Sequence, residues 1–128
     1  MQLYLAMGIG FVLASLSDWL FMGILFHRHY KTFPEVWRDT TDERGKIIVA
    51  QAFAALTAVG FVLLASALGL VLPRQALALA FAIWIIGPLP LLLGNHLFIK
   101  LDKMVTISHS LGWLVKLLLV AGVTAALL

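Results

Sequence analysis

The chain has 128 residues, of which 62% are apolar and only 12% charged, whereas a soluble domain is nearer half apolar and a quarter charged. With a mean hydropathy of +1.05, so few charges cannot cover a water-exposed surface, and a soluble globular domain is excluded. The absence of cysteine excludes disulfides, thiolate metal sites, iron–sulfur clusters and cysteine nucleophiles.

Four apolar runs predict spans at about 3–26, 47–72, 76–99 and 104–128 within a single domain over residues 1–128. Each exceeds the roughly 18 residues that signal a bilayer crossing, and at ~1.5 Å per residue each reaches ~36 Å. Helices are required because hydrocarbon cannot satisfy an open backbone, and the connections are too short for a barrel. The expected fold is all-α: a polytopic integral membrane protein, an antiparallel four-helix bundle with one interfacial loop carrying a short helix.

Span one carries Asp18, lacks a basic leader region and has no small-residue cleavage site, so it is read as a retained span rather than a signal peptide. It ends in His27, Arg28, His29 and Lys31. In the following loop, 27–46, Thr32-Phe33-Pro34-Glu35 has capping-box spacing with Pro at a first helical turn. Phe33, Val36 and Trp37 would let that short helix lie in the membrane interface. The loop reads first as a connector. A binding role for His27, Arg28, His29, Lys31 and Trp37 is the alternative. A second box, Thr40-Thr41-Asp42-Glu43, starts span two, which bears a small-residue stripe at Ala50, Ala54 and Ala58.

Val71-Leu72-Pro73-Arg74-Gln75 is a tight turn into span three, and Lys100-Leu101-Asp102-Lys103 is another into span four. Turns this short predict antiparallel packing of the helices they join. Gly87-Pro88-Leu89-Pro90 breaks span three near its middle. Its prolines free the carbonyls of Trp84 and Ile86, which need another partner at that depth. Span four carries His109 and Lys116, with a second small-residue pair at Gly122 and Ala126.

Basic residues orient the bundle. Arg28, Lys31, Arg38, Arg44, Lys46, Lys100 and Lys103 flank one side and Arg74 alone the other. The positive-inside rule then places the long loop in the cytoplasm and both termini outside, in a bacterial inner membrane. The net charge of +3 belongs to these flanks, so membrane lipids and other transmembrane subunits, or a second copy, are the expected partners, and nucleic acid is not.

Within the spans only Asp18 and Lys116 are formally charged. Counting from the loop-side ends, Asp18 is ~12 Å deep and Lys116 ~18 Å deep, a difference that a lysine stem can close. An intramembrane ionisable residue is a functional candidate by default. Here the first reading is structural: Asp18, Lys116, Trp84, Pro88 and Pro90 satisfy one another and fix the helix arrangement. The four histidines, His27, His29, His96 and His109, fall toward one leaflet. His96 and His109 are the pair that could face each other as haem or metal ligands, although no spacing matches a zinc or haem motif.

No GxSxG, HExxH, Walker A or dinucleotide-binding pattern occurs, and five of the six acids lie in the connections. A hydrolytic or nucleotide-driven enzyme is therefore not expected. Spans one and three share a loose pattern, Trp19, Gly23, His29 and Lys31 against Trp84, Gly87, His96 and Lys100, which reads as a duplicated two-helix hairpin.

Trp19, Gly23 and Leu25-Phe26, then Trp37, Trp84 and Gly87, then Gly112-Trp113 before a small-residue end resemble the bacterial four-span membrane family catalogued as domain of unknown function 1761. That resemblance covers most of the chain, and it implies the fold and topology but no activity. The functional expectation is a small structural or accessory subunit, or a homo-oligomer, without catalytic chemistry of its own and with no required cofactor. A transporter or channel using Asp18, Lys116 and the Pro88/Pro90 break is the rival, and a redox subunit holding haem or metal on His96 and His109 is the third.

Overall fold

Runs of this length fold as helices because only a helix pairs every backbone group within one segment. The computed structural model describes residues 1–38, 43–70 and 72–128, and every element in it is helical. Helix α1 (Gln2–Asp18) continues into a π-helical turn, Trp19–Leu25. Two 3-10 turns follow, His27–Lys31 and Pro34–Val36, then α2 (Glu43–Ala67), α3 (Pro73–Ile86), α4 (Pro88–Phe98) and α5 (Lys103–Leu127). Four stretches are long and apolar enough to cross a membrane: Gln2–Leu25, Glu43–Ala67, Pro73–Phe98 and Lys103–Leu127.

Helix α5 is the hub of the bundle. It touches α1, α2, α3, α4 and the π-helical turn, and its buried polar positions are Thr106, Ser108, Ser110, Lys116 and Thr124. Helix α1 also packs on α2, but α2 and α3 scarcely meet although a short connection joins them. The expectation that each tight turn pairs its two helices therefore fails at α2–α3. Instead α3 lies against α5, and α2 lies mainly against α1 with a smaller contact to α5.

The contacts are made by small residues. Ala6, Ala14, Ala54, Ala58, Ala65, Ala76, Ala80 and Ala121 are buried, and a Cβ added to Gly10 would lie 3.4 Å from Val120 and 3.6 Å from Ala58. In lipid, where apolar surface gains nothing by leaving its solvent, such close backbone approach supplies the packing energy. The predicted stripe on span two is buried at Ala54 and Ala58 but exposed at Ala50. Gly122 and Ala126 face outward, since the inward positions of α5 are Leu117, Val120, Ala121 and Thr124.

Span two stops at Ala67 rather than at residue 72. Gly69 adopts φ 65°, and the Leu70 amide donates to the Ala65 carbonyl at 3.1 Å, the six-to-one bond that closes a helix over a left-handed glycine. The Thr40-Thr41-Asp42 part of the second capping box and Val71 of the turn lie outside the described residues.

Spans one and three both depart from regular α-helix, from Trp19 in span one and at Gly87, three residues past Trp84, in span three. At Gly87, φ −120° and ψ −87° separate α3 from α4. In span one the Phe26 amide reaches back five residues to the Phe21 carbonyl at 3.1 Å. The Ser108 hydroxyl donates to the same carbonyl at 3.4 Å, giving it a partner outside the four-residue ladder.

Replacing Gly10 by Leu forces α1 off α5 and α2 and should lower stability by about 1–3 kcal/mol. Gly60→Leu, at a position whose Cβ would meet nothing within 4 Å, should leave the melting temperature in detergent unchanged. Equal losses from both variants would refute the close-approach account.

Candidate functional site

Asp18 is the last residue of α1 before the π-helical turn, and Lys116 lies midway along α5. Because α1 and α5 run antiparallel, the two meet. Lys116 Nζ lies 3.0 Å from Asp18 Oδ1 and 3.2 Å from Oδ2. Helical Cβ bonds tilt toward the helix N-terminus, so the lysine stem leans from mid-span toward the loop end, where Asp18 waits. The ammonium also sits 4.1 Å from the centroid of the Trp113 ring, whose electron-rich face attracts a cation. A lone charge here would cost roughly 2.5–3.5 kcal/mol on insertion scales. The carboxylate and the ring offset that cost together.

The pair is not sealed. It borders a cavity of about 160 Å³ whose walls include Asp18, Ser108, His109, Trp113 and Lys116. One water requires ~10–15 Å³ of such volume together with polar partners, so this space accommodates several. Three enclosed hydroxyls, of Ser15, Ser17 and Ser110, have no hydrogen-bond partner among the described residues, which leaves further polar capacity inside the bundle.

Tyr30 bonds a wall of this cavity. Its hydroxyl is 2.9 Å from Ser108 Oγ, and its ring lies edge-on to His109 at 5.5 Å and tilted against Trp37 at 5.6 Å. Burial raises the Tyr30 phenol above its ordinary value; the Ser108 bond opposes that rise and the Asp18 charge adds to it. Tyr30 therefore stays protonated, able to donate or accept at Ser108. On its other side Tyr30 lines a wider cavity of about 800 Å³, shared with His27, Lys31, Trp37 and Arg38.

Asp102 fastens the loop to the bundle. It caps α5 by accepting from the Met104 amide at 2.8 Å, accepts from the Thr32 hydroxyl at 2.8 Å, and lies 3.5 Å from His29 Nδ1. Its carboxyl is held below the usual range, first by the Met104 amide and then by Thr32. The predicted Thr32–Glu35 capping box does not form. Phe33 stands at the N-cap of the Pro34–Val36 turn without a side-chain cap, since Thr32 is drawn to the stronger, ionised acceptor. Glu35 instead pairs with Lys100 at 3.0 Å; its carboxyl is lowered by a bond to its own backbone and by Lys100. Arg28 Nε is 3.4 Å from His29 Nε2.

The proline break is used differently from the expectation that Lys116 would satisfy its carbonyls. The partners of Lys116 are Asp18 and Trp113, and Trp84 contributes a donor, its indole Nε1 bonding the Ser110 carbonyl at 2.8 Å. Asp18 lies within 3.2 Å of the lysine ammonium, and this contact replaces the expected one. Pro88 and Pro90 begin α4, with the Leu91 amide bonded to the Gly87 carbonyl at 3.2 Å. His96 Nδ1 is engaged 3.1 Å from Thr106 Oγ1, whereas His109 faces Tyr30. Among the described residues, no group of three His, Asp or Glu side chains is arranged to hold a metal ion.

The family model described as a protein of unknown function, DUF1761, matches residues 5–125. The chain belongs to that family. Membership in DUF1761 covers all four spans and brings no activity with it. No curated protein and no solved structure matches the chain.

Sequence reading singled out Asp18 and Lys116 but missed Tyr30 and Trp113 as parts of the site and Asp102 as the loop's anchor. An Asp directly before an apolar helical run is an N-cap signal, so the capping role of Asp102 was available. Nothing local marks Tyr30, whose partner Ser108 is 78 residues away.

Removing one charge should cost more than removing both. Breaking a buried pair costs about 3–5 kcal/mol, and replacing both partners by apolar groups costs far less; the 21% exposure of the Asp18 side chain puts this pair toward the low end. Thermal unfolding in detergent should therefore rank Lys116→Met and Asp18→Asn below the double variant, and additive losses would count against a coupled pair. The Asp102 contacts should be fully present above an ordinary carboxylate pKa, ~3.9, and lost as pH falls through the depressed value in the fold. Hydrogen exchange across residues 27–38 should rise only in strong acid, and Asp102→Asn should abolish that step.

Proposed function

We propose that this protein is a small membrane transporter that handles protons, alone or with a polar solute, at the Asp18–Lys116 pair. The observation that carries this reading is the cavity of about 160 Å³ against the pair. A pair that only fixed the helix arrangement has no need of open space beside it, whereas this one keeps room for water beside both charges. Ser108 and His109 share the cavity with it, and Tyr30 links Ser108 to the wider opening at the loop end. Protonating Asp18 removes the charge that holds Lys116 and frees the ammonium, a two-state change of the kind transport requires. The Gly87–Pro88 break and the π-helical turn are the points where spans three and one can bend.

The termini-side half of the interface is packed by Ala6, Gly10, Ala14, Ala58, Val120 and Ala121, so access is from the loop end. By the positive-inside count that end is cytoplasmic and both termini are outside, in a bacterial inner membrane. An accessory-subunit or homo-oligomer role is the second reading. It is favoured by the divergence of α2 and α3, which leaves an apolar crevice of about 210 Å³ floored by Trp113 and Leu117. A haem or metal role for His96 and His109 gains no support from their partners, Thr106 and Tyr30.

Protein reconstituted in vesicles under an imposed pH gradient should dissipate that gradient faster than protein-free vesicles. Asp18→Asn should remove the difference, and Tyr30→Phe, which keeps the ring and loses the Ser108 bond, should reduce it. Wild-type flux equal to that of empty vesicles would overturn the transporter reading, and a larger native assembly in mild detergent would then support the accessory one.

A further inference from the structure

A wider cavity than the one at the ion pair opens elsewhere in the bundle. About 800 Å³ opens at the loop end between the turn that follows span one and the first turns of α2. Among the described residues, Lys31, Arg38 and Lys46 line it together with His27, Tyr30 and Trp37, and Glu43 is the one carboxylate. With histidine neutral, these side chains carry an excess of two positive charges. Cations framed by aromatic rings in a concave space fit a phosphate bearing an organic substituent.

Position decides the source of that phosphate. The cavity lies at the level where span one ends, at Leu25, and where span two begins, at Glu43, which is the headgroup level of a bilayer. Below it the helix surfaces are apolar and open: Leu25 is 55% exposed and Ile47, one turn beyond Glu43, is 53% exposed. A free anion has no use for apolar surface continuous with its site. A lipid does, because its chains leave the phosphate in that direction. Tyr30 and Trp37, in tilted contact at 5.6 Å, suit the wet, half-apolar boundary where aromatic side chains concentrate in membrane proteins.

We propose that this cavity is a binding site for an anionic phospholipid, with Lys31 and Arg38 contacting the headgroup phosphate and the acyl chains lying along Leu25 and Ile47. Tyr30 lines this cavity and also bonds Ser108 at the edge of the ion-pair cavity, so a bound headgroup touches a residue linked to the ion-pair site. The lipid site stands on its own residues and does not require the transporter reading.

The test uses delipidated full-length protein in neutral detergent, with binding followed by thermal shift and by mass of the intact protein–lipid complex. Phosphatidylglycerol should raise the melting temperature and remain bound in the intact mass, while phosphatidylcholine should do neither. Lys31→Gln and Arg38→Gln should each weaken phosphatidylglycerol binding about fivefold, the effect of one interfacial cation on an anionic lipid. Lys103→Gln removes an exposed cation next to the 99–102 connection that does not line the cavity, and it should leave binding unchanged. Three results would overturn the site: equal binding of the two lipids, an equal loss from Lys103→Gln, which would indicate diffuse surface charge, or displacement of the lipid by inorganic phosphate at millimolar concentration, which would indicate a free-anion site.

Discussion

An ammonium cannot rest in hydrocarbon without a counter-charge, and the seating of Lys116 between Asp18 and Trp113 sets the geometry around it. To bring the carboxylate to the amine, α1 must lie close along α5. That approach is possible because Gly10 sits against Val120, and Gly112 against Phe21. The π-helical turn begins immediately after Asp18, so the chain changes its winding at the point where its charge is committed. The Phe21 carbonyl in that turn meets Ser108, one of the hydroxyls of the same α5 face.

This dependence makes the bundle unequal. A symmetric bundle would give each span two similar neighbours; here α5 serves nearly all of them, and α2 and α3 diverge. The reason is chemical as well as spatial. The polar groups that need enclosure, Lys116 and the hydroxyls of Thr106, Ser108, Ser110 and Thr124, are concentrated on α5. Other spans gain hydrogen-bond partners by packing on it: Trp84 reaches the Ser110 carbonyl and His96 reaches Thr106. Interhelical hydrogen bonds in lipid are individually modest, about 0.6 kcal/mol on average, so several are needed to select one arrangement.

The two ends of the molecule consequently differ. Toward the termini, alanine and glycine bring backbones together and leave little space. Toward the loops, aromatic and charged side chains hold the connections through Asp102, Tyr30 and the Glu35–Lys100 pair, and the larger cavities open there.

Much of the fold was legible because the bilayer allows few solutions. Length and apolarity of the runs located four helices, the lone intramembrane acid and base marked each other as partners, and Gly87-Pro88 announced the break in span three. Span edges were less legible: Gly69 ended α2 five residues early, because a left-handed glycine stops a helix whatever the hydropathy of the residues beyond it. The sequence by itself determined which segments are helical and which charges needed company, since both follow from the cost of leaving a polar group unsatisfied in hydrocarbon. Only the tertiary structure decided that α5 is central, that Lys116 pairs with Asp18 and Trp113, and that Tyr30, which lines the loop-end cavity, bonds Ser108 at the ion-pair cavity. Those outcomes depend on contacts between residues 78 and 98 positions apart, and no local pattern records which of several compatible partners a helix face will meet.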